Sequence, residues 1–316
     1  MNIKTIHTVT GAFGLSGRFI ARRLLRENLP VETLTNTRPA ADPFAGRVAT
    51  HPLDFADFPS LVRALSATAV LYNTYWVRFD HSAFNHETAV RNTRLLFAAA
   101  QEAGVRRIVH VSITNPDENS PLPYFRGKAQ LERALRETGI PHSILRPAVL
   151  FGDNAILLNN IAWMLRRFPC FGIFGKGNYR IEPVHVDDLA AIAVAEGKEK
   201  RDTCLDVKGP ESFTYRELVE TIGRAIGHPR PLFRLSPKIG YAIGTLLGKC
   251  TGDVVITREE IQGLMAGLLA TSAPGNAPTR LTEWLVENAK TLGTVYQSEL
   301  QRRASPPSNR RRFGAA

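Results

Sequence analysis

Cysteine, methionine and tryptophan are all scarce, three of each in 316 residues. Cys170, Cys204 and Cys250 stand far apart, which excludes a disulfide framework or a paired zinc site, and they read as buried free thiols. No metal site is expected. Long apolar runs are missing too, and MNIKTIHTVTG lacks the apolar stretch of a signal peptide, so stable membrane insertion is not expected and a cytoplasmic location is. Acidic residues are outnumbered, 29 against 40 lysines and arginines, for a formal charge of +11. Arg302, Arg303, Arg310, Arg311 and Arg312 sit in an acid-free tail, and the other basic residues are scattered among acids with no stripe of interleaved aromatics. A solvated basic surface is therefore expected, with no nucleic-acid partner, and an anionic small-molecule ligand would suit it.

What is present is an ordinary globular composition, 44% hydrophobic and 22% charged. From Ile3 to about Ala148 short β-rich runs alternate with longer helical patterns, the reading of a parallel sheet covered on both faces. The expected fold is α/β: a doubly wound parallel sheet (Rossmann) with a smaller C-terminal substrate-side region. Residues 1–150 are expected to form the Rossmann core, 151–300 a mixed region interleaved with its end, and 301–316 a disordered basic tail. Strands are expected around 6–10, 31–35, 47–51, 69–73, 107–112 and 143–146, and helices near 58–65, 82–103, 127–138, 155–167, 215–226 and 258–269. Gly104 and Gly139 read as helix-ending glycines.

The first strand leads into Gly11-Ala12-Phe13-Gly14-Leu15-Ser16-Gly17. Gly11 permits a tight bend, Gly14 lets backbone approach a pyrophosphate, and Gly17 allows helix to pack closely on strand, with the phosphates at the positive end of the helix dipole. Placed between a strand and an amphipathic helix, this turn points to a dinucleotide, with Phe13 and Leu15 alongside it. Binders of NAD commonly carry an acid at the end of the second strand, whereas here the chain reads Leu34-Thr35-Asn36-Thr37-Arg38. Asn36 and Arg38 would hold a 2′-phosphate, so NADP(H) is the preferred cofactor and NAD(H) the alternative. Asp54 is a candidate for the adenine amino group, and Asn73, Thr74 and Tyr75 for the cofactor path. Each also fits a plain turn.

Ser112 ends the fifth strand, and Tyr124 and Lys128 follow at a spacing of four, which puts both on one helical face. A phenol titrates near pH 10 on its own, and a neighbouring ammonium moves it toward a useful range. In this arrangement Tyr124 exchanges a proton, Lys128 also reaches the nicotinamide ribose, and Ser112 holds the substrate oxygen. A pair kept for cofactor binding alone is the other reading. Pro147, after Arg146, would wall the cofactor pocket. The loop 171–183 suits a mobile lid. His185 reads as a structural histidine and Asp187 as a helix N-cap. The apolar stretch Ile239–Leu247 reads as a packed helix, with membrane contact as the rival.

The runs TGAFGLSGRFIARRLL, AVRNTRLLFAAAQEAGVRRIVHVS, YFRGK, ILRPAVLFG and PVHVDDLA resemble the short-chain dehydrogenase/reductase superfamily, over roughly Thr8 to Ala195. Within it they are similar to the extended and atypical branch, which includes sugar-nucleotide epimerases, NmrA-like proteins and the complex I dinucleotide-binding accessory-subunit group. LLNNIAWMLRRFPCFGIFGKGNYRIEPVHVDDLA is most similar to the last of these. The resemblance assigns Gly11, Gly14 and Gly17 to the nucleotide turn, Ser112, Tyr124 and Lys128 to the catalytic triad, and Asn92 to the helix asparagine near the active site. Ser112-Ile113-Thr114 departs from the paired hydroxyl residues of many relatives. It implies an NADP(H)-dependent oxidoreductase or epimerase-like enzyme acting on a small-molecule carbonyl or alcohol, with a homodimer possible. The alternatives are a non-catalytic redox-sensing or complex-stabilising module, and a membrane-peripheral quinone reductase.

Overall fold

The computed structural model describes residues 5–36, 39, 41–153 and 155–303. Runs of β-branched and aromatic residues form seven parallel strands of one sheet: β1 (Ile6–Thr10), β2 (Val31–Leu34), β3 (Val48–His51), β4 (Thr68–Asn73), β5 (Arg107–Val111), β6 (His142–Pro147) and β11 (Thr203–Val207). Their order is β11-β6-β5-β4-β1-β2-β3, so the direction of winding reverses between β1 and β4. In open α/β sheets, ligands bind at such a switch point, beyond the carboxyl ends of the strands.

Helices α1 (Leu15–Arg26) and α6 (Val186–Glu196) pack together on one face of the sheet. On the other lie α2 (Phe58–Leu65), α3 (His86–Glu102) and α4 (Pro123–Glu137). Asp57 and Asn85 cap α2 and α3 by accepting from Ser60 N and Thr88 N. Gly104 and Gly139 follow α3 and α4 at φ of 70° and 69°, the left-handed conformation that closes a helix. His185, not Asp187, caps α6, its Nδ1 accepting from Asp187 N, while Asp187 forms a two-point ion pair with Arg23 of α1.

Residues beyond 150 build a second core against the first. There β7 (Val149–Phe151) pairs with β10 (Pro183–His185), β8 (Phe171–Phe174) with β13 (Leu232–Leu235), and β9 (Arg180–Ile181) with β12 (Phe213–Thr214). Around them stand α5 (Ile156–Arg167), α7 (Tyr215–Ala225), α8 (Pro237–Thr251), α9 (Arg258–Met265), α10 (Leu281–Asn288) and α11 (Glu299–Arg303). The segment 171–183, expected as a lid, is instead tied down through β8, β9 and a stack of Tyr179 on Tyr215. Residues 301–303, expected in a disordered tail, complete α11, and 304–316 lie outside the described residues. The three cysteines are free as expected but exposed, not buried.

In α8 the small residues face inward. A Cβ on Gly240 would lie 2.3 Å from the Phe174 ring, and one on Gly248 2.6 Å from Asp253 O, so only glycine permits this approach. The aliphatic face turns outward, with Ile239 and Leu246 exposed. No helix among the described residues is long and apolar enough to cross a membrane.

Candidate active site

A cavity of about 1370 Å³ opens over the switch point. Its floor is the glycine turn, with Gly11, Phe13, Gly14 and Leu15 on the lining. Gly11 adopts φ +66°, Gly14 N donates to Gly11 O at 2.8 Å, and a Cβ on Gly17 would fall 2.3 Å from Gly11 O. The first turn of α1 has no side-chain cap, so its backbone N–H groups are available to an anion, and a dinucleotide pyrophosphate fits this cradle.

Along the expected cofactor path, Thr74 and Tyr75 line the cavity. Thr10 Oγ1 accepts from Thr74 N at 2.8 Å and from Tyr75 N at 3.1 Å, which pins the turn, while Asn92 Nδ2 donates to Tyr75 Oη at 3.1 Å. Asn73 is fully buried off the cavity lining; it accepts from Thr10 Oγ1 and lies 3.0 Å from His110 Nδ1, so it braces the strands. Asn36 lines the cavity, but both ends of its amide are held by the backbone of Leu53, at 2.7 and 3.0 Å. Arg38 lies outside the described residues. Asp54 is exposed and accepts from Ala56 N at 2.9 Å, a turn residue away from the lining. Pro147 is buried and accepts from Thr114 N at 3.1 Å; Ala148, Val149 and Leu150 form the wall in its place.

Of the three residues expected as a triad, only Tyr124 lines the cavity. Ser112 is 3% exposed and donates through Oγ to Glu132 Oε1 at 2.6 Å, on the α4 side of the strand. Glu132 is in turn held by Arg146 at 2.9 and 2.5 Å. Ile113, a residue with no hydroxyl, faces the cavity at this point. Lys128 donates to Val111 O at 2.7 Å and stands 4.5 Å from the Trp76 ring centre, behind the cavity lining to which Trp76 belongs. Burial, opposed by Glu132, lowers its pKa to about 7. Tyr124 does line the cavity, edge-on to Trp76 at 5.6 Å. Its pKa is raised, first by burial and then by Glu260. Burial thus works against the downward shift expected from a neighbouring ammonium. Gly127 makes room for this arrangement, because a Cβ there would meet Trp76 at 2.9 Å.

Several lining residues carried no sequence signal. Trp76 and Arg78 follow the β4 turn, Arg18 sits in α1, and Arg302 had been assigned to the tail. Arg78 Nε donates to Glu260 Oε1 at 2.6 Å, joining the β4 turn to α9. Away from the glycine turn the cavity becomes apolar, between Leu157, Ile161 and Met164 of α5, Ile243 and Leu247 of α8, and Leu264 of α9.

Residues 11–159 match the family model described as NAD(P)H-binding. Over 263 residues the chain is 27% identical to the mitochondrial NADH-ubiquinone oxidoreductase 40 kDa subunit of Neurospora crassa, a match covering 81% of this chain and 69% of that protein. It is 26% identical over 228 residues to the mitochondrial NADH dehydrogenase (ubiquinone) 1 alpha subcomplex subunit 9 of Arabidopsis thaliana, where it covers 68% of this chain and 56% of the relative. Among solved structures, the Citrobacter sp. triphenylmethane reductase complexed with NADP(H) superposes with a TM-score of 0.72 at 20% identity, covering 90% of this chain and 99% of that one.

Proposed function

We propose, on the premise that residues 11–159 are an NAD(P)-binding Rossmann domain of the extended short-chain dehydrogenase/reductase type, that this protein is an NADP(H)-dependent reductase of an apolar carbonyl compound. The observation that carries the reading is the position of Tyr124, on the lining of one cavity that runs from the glycine turn to an apolar wall. Bound there, the nicotinamide supplies the hydride. The chain's own part is to orient the substrate and to hold a proton at Tyr124 Oη for the developing alkoxide. A phenol whose pKa is raised by burial keeps that proton, which favours reduction over an epimerisation that begins by abstracting one. Arg78 and Arg303, each paired with a carboxylate, only partly offset the rise. The preference for NADP(H) rests on the acid-free end of β2, Leu34-Thr35-Asn36.

Two measurements test this. Fluorescence titration with NADPH and NADH, on the wild type and Arg38→Ala, should show tighter NADPH binding that the substitution weakens; preference for NADH overturns the cofactor choice. In a screen of apolar aldehydes, ketones and quinones, Tyr124→Phe should lower turnover by about 10²–10⁴-fold and leave cofactor affinity unchanged.

A second reading, a dinucleotide-binding module without turnover, is favoured by Ser112 bonded to Glu132 and by Trp76 screening Lys128. It predicts binding of the dinucleotide with no oxidation of it by any acceptor in the screen.

A further inference from the structure

Besides Arg303, three arginines from distant parts of the chain line the same cavity: Arg18 in the first half of α1, Arg78 after β4, and Arg302 in α11. Each keeps a buried guanidinium nitrogen with no hydrogen-bond partner among the described residues, Nε of Arg18, Nη1 of Arg78 and Nη2 of Arg302. Arg78 is neutralised by Glu260, and Arg303 by Glu299 at 2.6 Å, so these two cations are answered by carboxylates of the chain. Among the described residues, Arg302 and Arg18 form no such ion pair. The Arg302 pKa is lowered, first by burial; Glu299 opposes this, and Arg18 and Arg78 lower it further, as expected for cations facing one another across a shared space.

The backbone keeps this convergence in place. Asp253 accepts from Glu299 N at 3.1 Å and from Leu300 N at 3.0 Å, and Arg303 donates through Nη2 to Trp76 O at 3.2 Å. The short helix is thus fixed at both ends beside the cofactor cavity. A buried donor left unmet costs about 1–3 kcal/mol, more when charged, so such a set is held for an anion. Arg18 lies one turn along the helix whose N-terminus forms the glycine cradle, which identifies the anion as a phosphate of the dinucleotide.

We infer that α11 is a clasp over the dinucleotide site, in which Arg302 and Arg18, from opposite ends of the chain, grip the pyrophosphate from the side facing away from the glycine turn. The inference rests on the dinucleotide reading above.

The test is titration of the full chain with NADPH, NADH and ADP, for the wild type, Arg302→Gln, Arg18→Gln and the double variant, with thermal unfolding of each to verify the fold. Arg302→Gln should weaken binding of ADP and of the preferred dinucleotide alike by about 10- to 100-fold at low salt. The double variant should lose less than the product of the single losses, because both arginines hold one group. The losses should shrink as salt screens the charges. Should Arg302→Gln remain folded and bind within twofold of the wild type, the clasp is wrong while the dinucleotide site stands. A loss confined to NADPH, with ADP unaffected, also overturns it, because the contact would then be to the 2′-phosphate. A wild type that binds none of the three overturns the dinucleotide reading and the clasp together.

Discussion

Lys128 gives the most decisive pH experiment. The residue is 2% exposed, and burial brings its pKa from the lysine value of 10.5 to about 7. Between those values the unfolded chain holds a proton that the native protein does not. Stability therefore rises with pH across that window, by at most about 1.4 kcal/mol per pH unit for one proton. Below it the ammonium is charged in both states and the full penalty of burying it is present. One effect opposes this: the nitrogen sits 4.5 Å from the Trp76 ring centre, where a desolvated cation–π contact favours the ammonium. A contact of about 2 kcal/mol would delay the onset by roughly 1.5 pH units. Urea unfolding of the wild type and of Lys128→Met, from about pH 6 to about pH 9.5, separates this site from every other titrating group. The Met variant should be at least as stable as the wild type at the acid end, and its relative advantage should decline by about 1–3 kcal/mol toward the alkaline end. A difference that stays flat through about pH 9.5 would mean that the buried amine remains charged, and the desolvation argument would fail.

Gly17→Ala would place a Cβ 2.3 Å from Gly11 O, against backbone that no side-chain rotation can move. A loss of about 1–3 kcal/mol or more is expected, with weaker NADPH binding, read by thermal unfolding and titration. Glu132→Ala strips Ser112 and Arg146 of their shared acceptor. Because Arg146 keeps some contact with water, the loss should fall at the low end of about 3–5 kcal/mol in urea unfolding, with part of it restored in Glu132→Gln. Ser112→Ala should leave turnover of any substrate found within about twofold, since its hydroxyl does not reach the cavity; the 10²-fold or greater fall expected of an oxygen-binding group would reinstate it in the site. If the outward face of α8 meets lipid, the protein should sediment with anionic liposomes at low salt, and Leu246→Glu should release it; no sedimentation would rule that contact out.

The N-terminal half of the fold was legible because its signals are local. The expected strand at 6–10, the helix at 58–65 and the ends marked by Gly104 and Gly139 all match, since alternation, a glycine turn and left-handed caps are written in adjacent residues. Beyond Phe151 the signals are not local. Strand β8 acquires its identity from β13, about sixty residues later, and no four-residue run announces such a partner. In the candidate site, the glycine turn could be read from spacing, but the triad could not. Tyr124 and Lys128 do share a helix, yet Trp76, from another segment, comes between the lysine and the cavity. Ser112 failed by direction: Ile113 took the cavity side and the hydroxyl turned to Glu132. Arg302 was grouped with the tail because composition alone cannot tell a basic run that folds back from one that does not.

Trp76 also makes the molecule its own optical gauge. Of the three tryptophans it alone lines the cavity; Trp163 stacks edgewise on Tyr296 and Trp284 on Phe151. An indole beside the dinucleotide path is placed to pass its excitation to a reduced nicotinamide, while the other two supply a steady background. Its face carries the Lys128 amine, so the same emission would change as that amine titrates. Occupancy of the cleft and the protonation state behind it could then be followed in one cuvette, without a label.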